Sequence, residues 1–159
     1  MGRLSMAAGG VRGGRDQTFE ELFERERQPM VRLAYLITSS RAGAEELVHD
    51  AFVEVYQRWP QLDRPGAYLR TCVVNRAIRQ KKRGRRRVVD LRREETVEHG
   101  YDHTFAALDG LVPRARAMVV LRYYAEMSQA EIAELLGVPV GTVKSGLHNA
   151  LAELKKVLS

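Results

Sequence analysis

The residues best suited to chemistry lie on one predicted helix near the C-terminal end of the chain, and that chemistry is contact with nucleic acid. All are polar side chains of the kinds that bond to base edges and phosphates: Thr142, Lys144, Ser145, His148 and Asn149. They alternate with an apolar stripe that repeats at the spacing of one helical face: Val143, Leu147, Ala150 and Leu151. The pattern predicts a helix that packs on one side and presents hydrogen-bonding groups to a DNA groove on the other.

A preceding helix and a tight turn must position that helix. Ser128 and Glu131 form the S-x-x-E capping box that starts a helix. Gly137 is expected to end it in a left-handed conformation, and Pro139 suits the first turn of the next helix. With the small Ala133 at the crossing point, the sequence predicts a helix-turn-helix that crosses at ~90–120°. An ordinary antiparallel helix pair is the alternative, which the short polar side chains of the second helix disfavour.

The rest of the chain is predicted to be mostly helical, without strands. Thr18 and Glu21 form another capping box, and the apolar spacing then favours a helix to Ile37, bent near Pro29. Further helices are predicted at 42–59, at 65 to about 83, near 105–111 and from Pro113 onwards. Residues 84–103 are polar and lack helical periodicity, which is typical of a linker. The predicted organisation is a disordered tail at 1–17, a first domain at 18–87, a linker at 88–103 and a second domain at 104–159.

Composition favours a polyanionic partner. The 159 residues contain 26 Lys and Arg against 20 Asp and Glu, a net charge of +6. The single cysteine, Cys72, lies in an apolar helical pattern and is expected to be a small buried hydrophobic residue in a reducing compartment. No apolar run approaches the ~20 residues of a membrane span, and the N-terminal segment lacks the apolar core of a signal peptide.

Charge is segregated along the chain. Asp16–Glu54 contains nine acidic and four basic residues, whereas Arg70–Arg87 contains nine basic residues and no acidic one. The basic segment follows a loop flanked by Tyr56, Trp59 and Tyr68, and basic charge beside aromatic rings suits melted or single-stranded nucleic acid. Core packing is the alternative for at least two of these rings. The residues therefore predict two DNA-binding surfaces on one tether, which together gain avidity, and an acidic first half that faces a protein.

Four blocks of the chain together resemble the extracytoplasmic-function, or group 4, sigma factors of bacterial RNA polymerase. In order they are FEELFERERQPMVRLAYLIT, AEELVHDAFVEVYQRWPQL, AYLRTCVVNRAIRQKKR and YYAEMSQAEIAELLGVPVGTVKSGLHNAL. The resemblance runs from about Phe19 to Leu158, and the four blocks in this order make it specific. It implies an all-α fold of two small helical domains, a sigma-2 helical bundle and a sigma-4 helix-turn-helix, joined by a flexible linker.

Within the first domain the resemblance implies a protein site and a DNA site. The second block resembles the surface that docks on the β′ clamp of core RNA polymerase, and the implied contacts are Glu46, His49 and Asp50. The loop that follows resembles the loop that captures a flipped base of the −10 element, which costs a few kcal/mol that the pocket must offset. Asn75 is implied to lie at the base of that pocket. The full set of implied −10 residues is Leu62, Asp63, Arg64, Asn75, Arg76, Arg79, Lys81 and Lys82.

The helix-turn-helix is implied to recognise the −35 element through the five polar residues of its second helix, with base-edge and phosphate contacts. Relatives often contain KSRLHRAR where this chain has KSGLHNAL, so Gly146 and Asn149 replace two arginines. A weaker −35 contact is therefore expected, and Gly146→Arg is expected to strengthen it and to change its salt slope by ~0.9.

The expected function is that of a cytoplasmic sigma factor, with no enzymatic activity, metal or cofactor. Its implied partners are core RNA polymerase, through the β′ clamp and β flap, promoter DNA and an anti-sigma protein. A stand-alone helix-turn-helix regulator is the alternative, and its dimers would bind half-sites ~34–36 Å apart. A nucleic-acid enzyme would need a metal–carboxylate cluster, for which Glu45 and Glu46, adjacent in sequence, give no support.

Overall fold

A computed structural model describes residues 17–91 and 103–158, and all regular secondary structure in these two stretches is helical. The α-helices are α1 (Phe19–Thr38), α2 (Arg41–Gln57), α3 (Pro65–Leu91), α4 (His103–Asp109), α5 (Pro113–Tyr123), α6 (Gln129–Leu136) and α7 (Val140–Leu158), with a 3-10 turn at Trp59–Gln61. The predicted all-α class is confirmed. Nearly all of the predicted tail and most of the predicted linker lie outside the described residues. No helix in the described stretches is long and apolar enough to cross a membrane.

The chain forms two compact units. Of the described residues, the first contains 17–35 and Ser39–Arg76, and the second contains Leu36–Thr38, 77–91 and 103–158. Because α3 continues to Leu91, residues 84–91 are helical, and the prediction that the helix ends near Arg83 is wrong. Arginine is a strong helix former, so the run of arginines at 85–87 prolongs the helix instead of beginning the linker.

The first two helices of the first unit, α1 and α2, begin at side-chain caps. The predicted capping box of α1 is confirmed, with Glu21 N–H donating to Thr18 Oγ1 at 3.1 Å and Thr18 N–H donating to Glu21 Oε1 at 3.0 Å. Ser40 Oγ caps α2 by accepting from Gly43 N–H at 2.9 Å. The apolar stripes of the three helices are buried, and the members of this core include Leu22, Leu33, Ala34, Val48, Ala51, Val55, Leu69 and Val73.

Aromatic packing joins the start of α1 to the end of α2. The Phe19 ring contacts those of Phe52, Tyr56 and Trp59 edge-on, with centroids 5.1–6.1 Å apart, a geometry favoured by the ring quadrupoles. Tyr56, one of the rings for which core packing was the alternative to nucleic-acid contact, is 51% exposed. The packing fixes Trp59 at the entrance to the loop that precedes α3.

The second unit contains the predicted helix-turn-helix. The Ser128–Glu131 capping box is confirmed, and Gly137 ends α6 at φ 71°, in the left-handed region. The second helix, α7, begins at Val140, so Pro139 precedes it instead of occupying its first turn. α7 packs against α4, α5 and α6, and the buried residues of this core include Ala117, Leu121, Ile132, Ala133, Val143, Leu147 and Ala150.

The turn between α5 and α6 contains a strained residue, Glu126, with φ 57°. A Cβ atom in this region costs ~1–2 kcal/mol, whereas glycine is tolerated but loses more entropy on folding. Glu126→Gly is therefore expected to stabilise the second unit by ~0.5–1 kcal/mol and to raise its midpoint by ~2–8 °C in thermal unfolding. Glu126→Ala, which removes the exposed carboxylate but keeps the Cβ atom, is the control and should give no gain. Equal stabilisation by both variants would contradict the strain argument.

Candidate nucleic-acid interface

The polar residues predicted on the second helix of the helix-turn-helix lie together on the exposed side of α7. Thr142, Lys144, Ser145, His148 and Asn149 are all exposed, while the apolar residues between them are buried with the exception of Leu151. Ser145 Oγ donates to the Gly141 carbonyl oxygen at 3.0 Å. Because a hydroxyl has one hydrogen to donate, Ser145 in this rotamer offers DNA only an acceptor, which suits a base amino group and not a phosphate.

Gly146 and Asn149, two of the positions at which the KSRLHRAR pattern has arginine, differ in their surroundings. Asn149 is exposed. A Cβ atom built on Gly146 would lie 2.6 Å from Met118 Sδ and 3.3 Å from its Cε, and Met118 is buried at 3% exposure. Gly146 therefore allows α7 to approach α5 closely, and an arginine at 146 must displace a buried side chain as well as add charge.

The predicted protein-docking residues share one exposed face of α2. Glu46, His49 and Asp50 are exposed and lie three and four positions apart, the spacing of neighbours on a helix surface. Val53 continues this face and is 41% exposed. No hydrogen bond or ion pair engages the two carboxylates within the described stretches. The face therefore presents uncompensated negative charge beside an apolar side chain.

The loop predicted to capture a base is short and is held by backbone hydrogen bonds. Leu62 N–H donates to the Trp59 carbonyl oxygen at 3.2 Å, and Tyr68 N–H donates to that of Arg64 at 3.1 Å, which joins the loop to the first turn of α3. Leu62 is half-buried, whereas Asp63 and Arg64 are exposed. The backbone is thus fixed at both ends, with two charged side chains at the surface between them.

The five predicted −10 residues on α3 divide into two groups. Asn75 is half-buried, and Arg79 and Lys82 are exposed at the i+4 and i+7 positions from it, so these three share a helix face. Arg76 donates to Glu54 Oε1 at 2.9 Å, and Lys81 Nζ lies 3.3 Å from the Thr38 carbonyl oxygen. Arg76 and Lys81 thus have partners within the protein, whereas the resemblance implies −10 contacts for both.

Glu54 is the acceptor of a hydrogen-bond cluster that links α2 to α3. Tyr68 Oη donates to Glu54 Oε2 at 2.6 Å, and Arg76 donates to the other carboxylate oxygen. These two bonds hold the pKa of Glu54 below its ordinary value, the Tyr68 bond having the larger effect. The same bond raises the pKa of Tyr68 to about 12, and burial raises the pKa of the Cys72 thiol to about 11. The cluster stays in one charge state at neutral pH.

Glu54 was not among the site residues predicted from the sequence. Tyr68 was predicted only to flank the loop and Arg76 only to be a −10 residue, yet both donate to Glu54. A lone glutamate on the partly buried side of a predicted helix was the available signal, since such a carboxylate requires a partner.

Metal-binding potential is low within the described stretches. These contain no group of three or more His, Cys, Asp and Glu side chains that could hold a metal ion. His99 and His103 have a four-residue spacing that occurs in metal-ligand pairs, and their side chains lie outside the described part of the chain.

Two family models match the chain, one for each half. Sigma-70 region 2 matches residues 22–87 and Sigma-70, region 4 matches residues 105–154. The chain is 32% identical over 151 residues to the RNA polymerase sigma-E factor of Streptomyces antibioticus, a match that covers 88% of this chain and 84% of that one. It is 31% identical over 154 residues to the ECF RNA polymerase sigma factor SigL of Mycobacterium tuberculosis, a match that covers 86% of each chain.

A solved structure has the same fold. It is the sigma factor RpoE in complex with the anti-sigma factor NepR from Bartonella quintana, with a TM-score of 0.73, 22% identity and coverage of 88% of this chain and 96% of that one. The match to both sigma regions favours the predicted sigma factor over a stand-alone regulator. The chain belongs to the extracytoplasmic-function group of the sigma-70 family, which are transcription initiation factors of bacterial RNA polymerase and not enzymes.

Proposed function

We propose that this sigma factor holds polymerase and promoter through three separate groups of residues. The α2 face of Glu46, His49 and Asp50 docks on the β′ clamp of core RNA polymerase. The loop of Leu62, Asp63 and Arg64, with Asn75, Arg79 and Lys82, binds the melted −10 element. The exposed side of α7 binds the −35 element. Residues 18–87 and 104–159 then act as the two promoter-binding domains, joined by the segment 88–103, which begins with the last residues of α3.

The observation that carries this proposal is the exposed face of α2. Two carboxylates without partners in the described stretches lie beside the exposed Val53, and negative charge is unfavourable near DNA. Exposed charge beside an apolar side chain suits a protein partner that supplies lysine or arginine. Such a surface has no role in a regulator that acts on DNA alone.

The end of α7 supports a second polymerase contact. Leu151, Val157 and Leu158 are exposed apolar residues on its last turns, and we assign them to the β flap. We include an anti-sigma protein among the partners, because the solved relative RpoE is bound to the anti-sigma factor NepR. The proposed location, with polymerase, is the cytoplasm.

The test is reconstitution with core RNA polymerase. The purified chain is mixed with core, transcription is run on a library of promoter-sized DNA fragments, and the 5′ ends of the transcripts are sequenced. We expect stable co-purification with core and start sites that share one −35 and one −10 sequence. Failure to co-purify, or the same start sites as core alone, would reject the proposal.

A further inference from the structure

We propose that Glu54 is a positioning residue that fixes the −10 loop between α2 and α3 in the shape needed to accept a flipped base. The inference rests on the proposed role of that loop. Glu54 itself faces α3 and is not expected to touch DNA. Its effect is exerted through Tyr68 and Arg76.

The Tyr68–Glu54 bond spans the −10 loop along the chain. It joins residues 14 positions apart, from the end of α2 to the beginning of α3. The 3-10 turn Trp59–Gln61 and the whole loop Leu62–Arg64 lie between these two residues. The bond therefore closes the base of the segment that carries the loop, and a charge-assisted bond of 2.6 Å is a strong closure.

The second oxygen of the same carboxylate also accepts a hydrogen bond. Arg76 donates to Oε1 at 2.9 Å, and Arg76 lies about two helical turns, or ~12 Å, beyond Tyr68 along α3. Two polar contacts separated along α3 restrict its rotation on α2 more than one contact would, in addition to the packing of its buried apolar residues. Asn75, the residue at the base of the proposed pocket, is the neighbour of Arg76 and is oriented with it.

The position requires a side chain that accepts hydrogen bonds from two donors. A phenol and a guanidinium both donate, and an ionised carboxylate is the side chain that accepts from both at once. Arg58 adds little, since its Nε lies 3.9 Å from Glu54 Oε2 and its side chain is 61% exposed. Glutamine at 54 keeps the size of the side chain and one acceptor, but it loses the charge and places an amide group toward one of the two donors.

The test compares Glu54→Gln with Glu45→Gln in the reconstituted holoenzyme. Glu45 is on the same helix, is exposed and has no partner within the described stretches, so the control makes the same chemical change without breaking the cluster. Three quantities are measured: the affinity for core, the midpoint of thermal unfolding, and the rate of promoter opening, followed by 2-aminopurine fluorescence at the −10 element of a promoter selected by transcription.

The expected result is a separation of these quantities. Glu54→Gln should slow opening about tenfold while core affinity stays within about twofold, because the lost bonds to a charged group act on the loop and not on the docking face. Tyr68→Phe should show part of the same slowing. The effects of Tyr68→Phe and Glu54→Gln should be less than additive, since both substitutions alter the same Tyr68–Glu54 bond. Glu54→Asp, which keeps the carboxylate, should recover part of the rate, and Glu45→Gln should change nothing.

Other outcomes would overturn the inference. Opening at the wild-type rate in Glu54→Gln would show that the loop needs no such closure. Equal losses of core affinity, thermal stability and promoter opening would show that Glu54 contributes to folding of the domain as a whole and not to the loop in particular. Failure of the wild-type holoenzyme to open any promoter would instead reject the proposed function, so the two failures are distinguishable.

Discussion

Replacing Asp50 with arginine is expected to weaken binding to core RNA polymerase by about tenfold or more, the largest effect we expect from one exposed residue. Asp50 lies on the docking face of α2, beside Glu46 and without a partner in the described stretches. The substitution removes one attraction and adds a repulsion toward the basic residues expected on the clamp. Charged pairs that become desolvated at an interface contribute ~2–5 kcal/mol when one partner is truncated, so a loss of ~1.4 kcal/mol or more is a conservative expectation.

Glu45→Arg is the matched control. Glu45 is also exposed on α2 and borders His49, but it lies ~140° around the helix from Asp50, so the change in net charge is the same and the position differs. Fluorescence titration of each variant with core, at low and high salt, measures the effect. Thermal unfolding and binding to a random-sequence duplex should match the wild type for both variants. Equal affinity of Asp50→Arg and wild type for core would reject the docking assignment, and a loss of both core and duplex binding would indicate misfolding.

The elements of the fold that follow from local rules were predicted from the sequence. The capping boxes at Thr18 and Ser128 and the left-handed Gly137 were identified because each involves residues within a few positions of one another. The end of α3 was misplaced because loss of apolar periodicity was taken as loss of helix, while the arginine run at 85–87 favours helix without an apolar face.

Side-chain environments were harder to predict. Helical periodicity indicates which residues share a face of a helix, but it does not indicate which other residues pack against that face. Tyr56, Tyr124 and Leu151 continue apolar stripes and yet are 51%, 41% and 39% exposed. Conversely, Arg116 is fully buried and donates to Asp109 Oδ1 at 2.6 Å. These outcomes depend on which helix packs where, which residues three and four apart do not determine.

The candidate site shows the same limit. The exposed residues of α2 and α7 could be assigned from spacing and resemblance, since surface position follows from being opposite the apolar stripe. The partners of Arg76 and Lys81 could not, because Glu54 and Thr38 are 22 and 43 positions away along the chain. Likewise, no local pattern indicates that Gly146 faces Met118 on another helix.

That contact leads to opposite expectations for arginine at positions 149 and 146. Asn149→Arg adds a cation to the exposed side of α7, and one further phosphate contact raises the magnitude of the salt slope by ~0.9. The affinity of the chain for a random-sequence duplex at 0.1 M salt is therefore expected to rise about five- to tenfold, with an unchanged unfolding midpoint. Filter binding over a salt series measures both quantities. An unchanged slope would show that position 149 does not approach phosphate.

Gly146→Arg is expected to lower stability, in contrast to the gain in binding that the resemblance alone predicts. Overpacking against the buried Met118 costs ~1–3 kcal/mol, and replacing a helical glycine returns about 1 kcal/mol. The net loss of ~1 kcal/mol should lower the midpoint of the second unit by ~4 °C or more. In a Met118→Ala background the thioether is absent, so the same substitution should cost less, and a double-mutant cycle measures that difference. An equal loss of stability in both backgrounds would mean that the clash with Met118 is not its cause. The preference for glycine at position 146 would then have to arise within α7 itself.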